Sequence, residues 1–596
     1  MKAALIFDSV NDLVFGKWDS TFIERMKTFG GQETQTDITE SDTVSQLLAP
    51  IITSQRVMAA QFGNTYSSIQ CKDKTTIVFD EWLDHVFMII SEDYVDEAHR
   101  ELLDFKTFVQ HICGQNINFC VTLIHTAKVV AVGMNNIIRT KGDTIPGANG
   151  VIGESGATMA ALNALKATSK DIKVPHQHSH LMLFVGDKLL ALYSSRGSED
   201  LSPPDLILLS IQCIAAQEYW KDVSDEDSND DQEIIRLPWL STENSAIVNL
   251  CAGSAASPCA PHSIHLAEVA PRITFVVVVD MDLREVGIAA YMSNQILANL
   301  RRLLLQRNLE LLPNTLDALE TSIKKTTDSL RKNKAHSNLC ARLSSRMLEL
   351  RKSCTTTTPL TPETTATAMH TALEAVIEQL KPDIPSLKME QPLKDLRGIL
   401  APYVEFLCVK AKRFFSLGSY PFQINASCSL TLHKYVEEFP GLIHFIYVDR
   451  TVGRFLAPDM ADCADMLAPN TVRRAVCRSF AVVREGYCAA TWRRGALHGC
   501  ALVWWERRGQ PVRPARAPHP AAVRALPPPG DILGSFYRQL LELAFPGDTR
   551  GVAVKELICI HLGLLPASTA VQQARRLAHS VHELAGEVST GAADLL

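Results

Sequence analysis

Glu437 to Pro458 reads EEFPGLIHFIYVDRTVGRFLAP. Leu442 to Val448 is apolar at almost every position, and Arg454 to Ala457 returns across a turn containing Gly453. The stretch therefore predicts a hairpin whose first strand is covered on both faces, because a half-exposed strand would alternate apolar with polar residues. A helix around Val472 to Val483 follows, then strands at Cys488 to Trp492 and Leu497 to Trp505. Gln510 to Gly530, with seven prolines, reads as a long loop before helices at Ile532 to Phe545 and Ala570 to Glu587.

The same order recurs twice upstream. Ala3 to Val10 and Leu13 to Trp18 pair across Asn11-Asp12, and a polar loop leads to Ser41 or Asp42 as a helix cap. That helix has Val44, Leu47, Leu48, Ile51, Met58 and Phe62 on one face, with Pro50 inside it. Strands at Tyr66 to Cys71, Thr75 to Asp80 and His85 to Ser91 come next. The helix Asp96 to Cys113 carries Ala98, Leu102, Phe105, Val109 and Ile112 as a continuous stripe. In the second copy of the order, Leu181 to Val185 and Leu189 to Ser195 form a hairpin, and Pro203-Pro204 open a helix to about Trp220. Strands recur near Ile264 and at Ile273 to Val279, before a long helix Leu283 to Leu311.

The pattern predicts an α+β chain of three sheet-and-helix units, at 1–135, 176–312 and 428–596. Ile138 to Pro175 is glycine-rich and weakly patterned, so 136–175 reads as a linker without a helix. Asp222 to Glu233 (DVSDEDSNDDQE) reads as a solvated acidic loop inside the second unit. Region 313–427 reads as a helical linker interrupted by the Thr/Pro-rich loop 355–367.

The 596 residues hold 46% hydrophobic and 21% charged residues with a formal net charge of -6, which excludes the disordered and polyanion-binding extremes. Fifteen cysteines stand singly with no CxxC pair, against a zinc ribbon or a disulfide framework. The start MKAALIFDSVNDLVF lacks a signal-peptide pattern, and no apolar run approaches the roughly 20 residues that span a bilayer. The expectation is a cytoplasmic protein that meets membranes through partners or surface contacts.

Together with LLAPIITS at Leu47 to Ser54 and KLLALYSS at Lys188 to Ser195, the Glu437 to Pro458 segment resembles the tri-longin Rab exchange-factor family, and the likeness covers most of the chain in outline. The resemblance implies three longin domains, each a five-stranded, antiparallel-rich sheet with helices on both faces. It implies a heterodimer with a homologue of the Hermansky-Pudlak syndrome type 4 protein, and nucleotide exchange on a Rab-family small GTPase during biogenesis of lysosome-related organelles. Exchange needs no covalent chemistry, cofactor or metal. A noncatalytic longin adaptor in a vesicle-sorting complex is the alternative. Carried onto this sequence, the family's GTPase platform falls on the helix face with Gln46, Thr53 and Arg56. The subunit-pairing edge falls on the strand with Tyr66, Ser68 and Gln70.

Other signals are weaker. His176, His178 and His180 alternate in HQHSH, but no cysteine or carboxylate at ligand spacing completes a zinc set, and a polar strand entry explains them equally. The glycine run GANGVIGESG at Gly147 to Gly156 lacks the GK[ST] of a phosphate loop and reads as a flexible loop. Arginines cluster from Arg473 to Arg524 around Trp492, Trp504 and Trp505 without a nucleic-acid module. They suit anionic lipid, an acidic partner or a solvated face.

Overall fold

The computed structural model describes residues 1–113, 149–225, 246–250, 260–407, 438–457 and 469–579, apart from short stretches within those ranges. The first sheet has β1 (Lys2–Phe7), β2 (Leu13–Trp18), β3 (Ser68–Gln70), β4 (Thr76–Trp82) and β5 (His85–Ser91) in the order β2-β1-β5-β4-β3, all antiparallel. Alternate residues of β1 and β5 point to opposite faces, and both faces are apolar. Ala3, Leu5 and Phe7 meet α1 (Ser20–Gly30) and α2 (Glu40–Phe62), whereas Ala4 and Ile6 meet α3 (Val95–Cys113). Helix α1 falls in the expected polar loop. Asp19 accepts the Phe22 N–H at 2.9 Å, which caps it, and Phe22 and Ile23 are buried.

A two-residue strand β6 (Asn149–Gly150) precedes the second sheet, which is built from β7 (Ser179–Val185), β8 (Lys188–Ser194), β9 (Ala246–Leu250), β10 (Ala260–Ala270) and β11 (Ile273–Asp280). Its order, β8-β7-β11-β10-β9, repeats that of the first sheet. One face packs on the helix Pro203–Asp225 and joins the α3 face of the first sheet in a single apolar cluster. The other face is covered by the helices Ser155–Asp171 and Glu390–Leu400.

Three expectations change here. The stretch read as an unpatterned linker contains the helix Ser155–Asp171, whose Ala157, Ala161, Leu162 and Leu165 are buried. Small alanines and interspersed polar residues hid that stripe. The helix Pro203–Asp225 runs into the start of the acidic segment, and 226–233 lie outside the described residues. The Thr/Pro loop is shorter than expected, because Thr355 ends one helix and Pro362 begins the next, capped by Thr361. The helices Arg284–Leu305, Leu312–Arg331, Ser337–Thr355 and Pro362–Gln379 share one core.

The third sheet contains β12 (Leu442–Asp449), β13 (Arg454–Leu456), β14 (Ala489–Arg494), β15 (Leu497–Arg507) and β17 (Val552–Leu562), in the order β14-β15-β17-β12-β13. That is again the same arrangement. β16 (Gln510–Val512) pairs with β15, and β6 adds in parallel to β13 at the far edge. The central strand β17 is absent from the sequence-based expectation, because Lys555, Glu556 and His561 interrupt its apolar run.

Local chemistry explains how those polar residues sit there. Arg450, just past β12, donates from Nε to Glu556 Oε2 at 2.8 Å, and Tyr537 Oη donates to the same oxygen at 3.1 Å. The guanidinium lies over Tyr537 at 4.6 Å and Phe480 at 5.4 Å, and Lys555 pairs with Asp449 across the same strands. Arg450→Ala leaves the Glu556 carboxylate buried without its cation, and we expect a loss of about 3 to 5 kcal/mol in chemical denaturation. Arg450→Met combined with Glu556→Leu recovers most of it.

His444 is fully buried on β12, and burial lowers its imidazole to about 4. His561 on β17 is also lowered to about 4, by burial first and by the neighbouring His498 next. In the unfolded chain both titrate near the ordinary value of about 6.5. The unfolded state therefore binds protons first on acidification. Stability is complete above pH 6.5 and falls as pH drops towards 4, by about 3 kcal/mol per imidazole. A urea midpoint that is flat across this window rejects the assignment.

Candidate functional site

Helix α2 lies on the outer side of the first sheet with Val44, Leu48 and Ile52 buried. Gln46 and Thr53, seven residues apart, fall on its solvent side and are exposed, as is Pro50 between them. A proline there removes the N–H that would bond the Gln46 carbonyl, which costs least where that carbonyl faces water.

Arg56 behaves differently. It is half-buried, and its Nη2 donates to the carbonyl of Asp8 at the end of β1. Asp8 Oδ1 accepts the backbone N–H groups of Val10 and Asp12, both at 2.9 Å, and Asn11 takes a positive φ of 70°. Asn11 Nδ2 donates to Thr53 Oγ1 at 3.3 Å. Two side chains thus fix the β1–β2 turn to α2, and Arg56 acts as a strut of this face.

That strut presents apolar surface the sequence did not reveal. Val10 is 71% exposed, Val57 42% and Met58 36%. Met58 was expected on the buried stripe. Beyond Ile52 the inward position passes to Gln55, which is buried, and Met58 turns outward. Val57 and Met58 are consecutive on α2, and Val10 lies in the β1–β2 turn that Arg56 ties to this helix.

β3 is the outermost strand of the first sheet, and among the described residues nothing pairs with its far side. Gln70 is exposed and Ser68 half-buried on it. Tyr66 lies just before the strand. Its hydroxyl donates to the Ile51 carbonyl at 3.1 Å and its ring meets Phe79 edge-on at 5.6 Å, so it ties the edge to α2. The strand is shorter than the expected Tyr66 to Cys71.

The remaining signals do not converge. His178 is exposed, His180 is buried with its Nδ1 2.9 Å from Ser194 Oγ, and His176 lies outside the described residues. Gly150 belongs to β6 and Gly156 to the helix Ser155–Asp171, whereas Gly147 and Gly153 lie outside the described residues. Among the described residues no cluster of His, Cys, Asp and Glu could hold a metal ion, and no helix is long and apolar enough to cross a membrane.

Residues 2–122 match the family model of the first longin domain of FUZ, MON1 and HPS1, and residues 441–584 match that of the third longin domain. Longin domains therefore stand at the N-terminal and C-terminal ends of the chain. FUZ, MON1 and HPS1 proteins are subunits of trafficking complexes. The α2 face and the β3 edge both belong to the first longin domain, and the Arg450–Glu556 pair belongs to the third.

Arg56→Ala frees the β1–β2 turn of the first longin domain and strands the Asp8 carbonyl. We expect a stability loss of about 1 to 2 kcal/mol by urea denaturation, whereas Gln46→Ala stays within about 0.5 kcal/mol of the parent.

Proposed function

We propose that this chain is one subunit of a heterodimeric guanine-nucleotide exchange factor for a Rab-family small GTPase, in the Hermansky-Pudlak syndrome type 1 branch of the family. The observation that carries the reading is an open sheet edge, β3, in the same first longin domain as an exposed apolar helix face, α2. An open edge takes a partner strand through main-chain hydrogen bonds. Side-by-side pairing of two such domains brings two helix faces together as one platform. The partner is a homologue of the Hermansky-Pudlak syndrome type 4 protein, and the middle sheet, with its matching strand order, is the second longin domain. The complex works in the cytoplasm and on membranes of lysosome-related organelles.

The mechanism is differential binding. A Rab holds its nucleotide through a phosphate loop, magnesium and switch segments, and a platform that grips the emptied form better lowers the barrier to release. Acceleration of about 1,000-fold requires about 4 kcal/mol of preference for the opened state, which a few anchor residues supply. Under this reading the anchors are the exposed Val10, Val57 and Met58, together with the exposed Gln46 and Thr53.

The test follows release of fluorescent GDP from a panel of Rabs with this chain, with its partner and with both. Acceleration by the pair alone is expected. Val57→Asp with Met58→Asp lowers it at least 10-fold with the melting temperature unchanged. Tight Rab binding with no acceleration points instead to a noncatalytic adaptor.

A further inference from the structure

Thr355 to Pro362 reads TTTTPLTP, between the helices Ser337–Thr355 and Pro362–Gln379. Serine or threonine precedes proline at four places in the sequence, Ser202, Ser257, Thr358 and Thr361, and only Thr361 also has a proline two residues before it. Of the four, Thr361 lies among the described residues. Prolines at these two positions favour extended backbone at the threonine between them, the shape in which a kinase groove takes up a substrate.

Thr361 has that conformation in the folded chain, with φ of -75° and ψ of 150°, and it is exposed. It caps the helix Pro362–Gln379 loosely. Its Oγ1 accepts the Thr364 N–H at 3.4 Å, longer than a good bond of this kind, and donates to Thr364 Oγ1 at 3.3 Å. The inner side of the same turn is fastened. Thr365 N–H donates to the Thr361 carbonyl at 3.2 Å, and the Thr365 hydroxyl, on a buried residue, lies 2.7 Å from Ser353 Oγ at the end of the preceding helix. The Thr361 hydroxyl is thus weakly engaged, on an exposed residue whose backbone is already extended.

We propose that Thr361 is a phosphorylation site for a proline-directed Ser/Thr kinase, with ATP as the phosphoryl donor. Thr361 Oγ1 attacks the γ-phosphorus, the bond from that phosphorus to the β-phosphate oxygen breaks, the hydroxyl proton passes to the kinase's base, and ADP leaves. Pro362 has no N–H, so the pocket that takes the residue after the threonine need not supply a hydrogen-bond partner. The product is a stronger cap. With proline at the first helical position, the Glu363 and Thr364 N–H groups are the first-turn donors open to a side chain, and a phosphate dianion brings three acceptor oxygens to the positive end of the helix. The Glu363 carboxylate opposes part of that gain.

The experiment incubates the full native chain with a purified mitogen-activated protein kinase and radiolabelled ATP, and maps the label to its residue. Label on Thr361 is expected. Thr361→Ala loses it, and so does Thr361→Asp, whose carboxylate keeps the helix capped, so the loss is not one of folding. Pro362→Ala loses it with the hydroxyl still present, whereas Thr358→Ala keeps it. In the labelled chain, hydrogen exchange at the Glu363 and Thr364 amides slows about threefold. A native chain without label at Thr361, or with label that falls instead on Ser202, Ser257 or Thr358, overturns the proposal. So does undiminished labelling of the Pro362→Ala chain, and unchanged exchange at the two amides overturns the stronger cap.

Discussion

A carboxylate at the centre of a sheet needs a cation, and the third longin domain is organised around that requirement. Glu556 sits on the middle strand with no exposed surface, and Arg450 reaches it from the end of the neighbouring strand. Desolvating both ions is expensive unless hydrogen bonds and packing surround them. Tyr537 supplies a hydroxyl, and the rings of Tyr537 and Phe480 flank the guanidinium. The pair therefore fixes four elements at once: the β12 hairpin, β17, and the helices Pro469–Arg484 and Ser535–Ala544.

The same ring of Phe480 links the ends of the chain. Arg100, on α3 of the first longin domain, lies 5.6 Å from its centroid, opposite in sequence and close in space. Helix α3 also shares an apolar cluster with the second sheet, and β6 pairs with β13 of the third. The three sheets are consequently not beads on a string. The α2 face and the β3 edge belong to a body whose parts brace one another. The helical bundle between Arg284 and Gln379 has its own core.

Function follows from what each surface leaves open. α2 is buried along Val44, Leu48 and Ile52, and beyond them Val57 and Met58 are exposed while Arg56 reaches back to the Asp8 carbonyl. Arg56, which the sequence places on the solvent face, is half-buried and bonded to Asp8, and Met58, which the sequence places in the core, is exposed.

How much of this was legible in the residues depends on period. Continuous apolar strands such as Leu442–Asp449 and Ile273–Asp280, and the stripe on α3, announced themselves because burial on a regular element imposes a repeat. The three-unit order, the α+β class and the longin resemblance came from those repeats and from a few segments around them. The exposure of Gln46 and Thr53 follows from counting along the helix, whereas the pairing edge came from the resemblance, and on it Gln70 is exposed and Ser68 half-buried. What only the tertiary structure decided was where periodicity is broken by pairing. β17 hides behind Lys555 and Glu556 because their partners, Asp449 and Arg450, are over 100 residues away. The helix Ser155–Asp171 hides behind small alanines that become core only against the second sheet. Whether Arg56 and Met58 face in or out was set by Asp8 and Gln55, neighbours that the sequence does not assign to them. A repeat is a local property of the chain, whereas the partner of a buried charge is chosen by the fold.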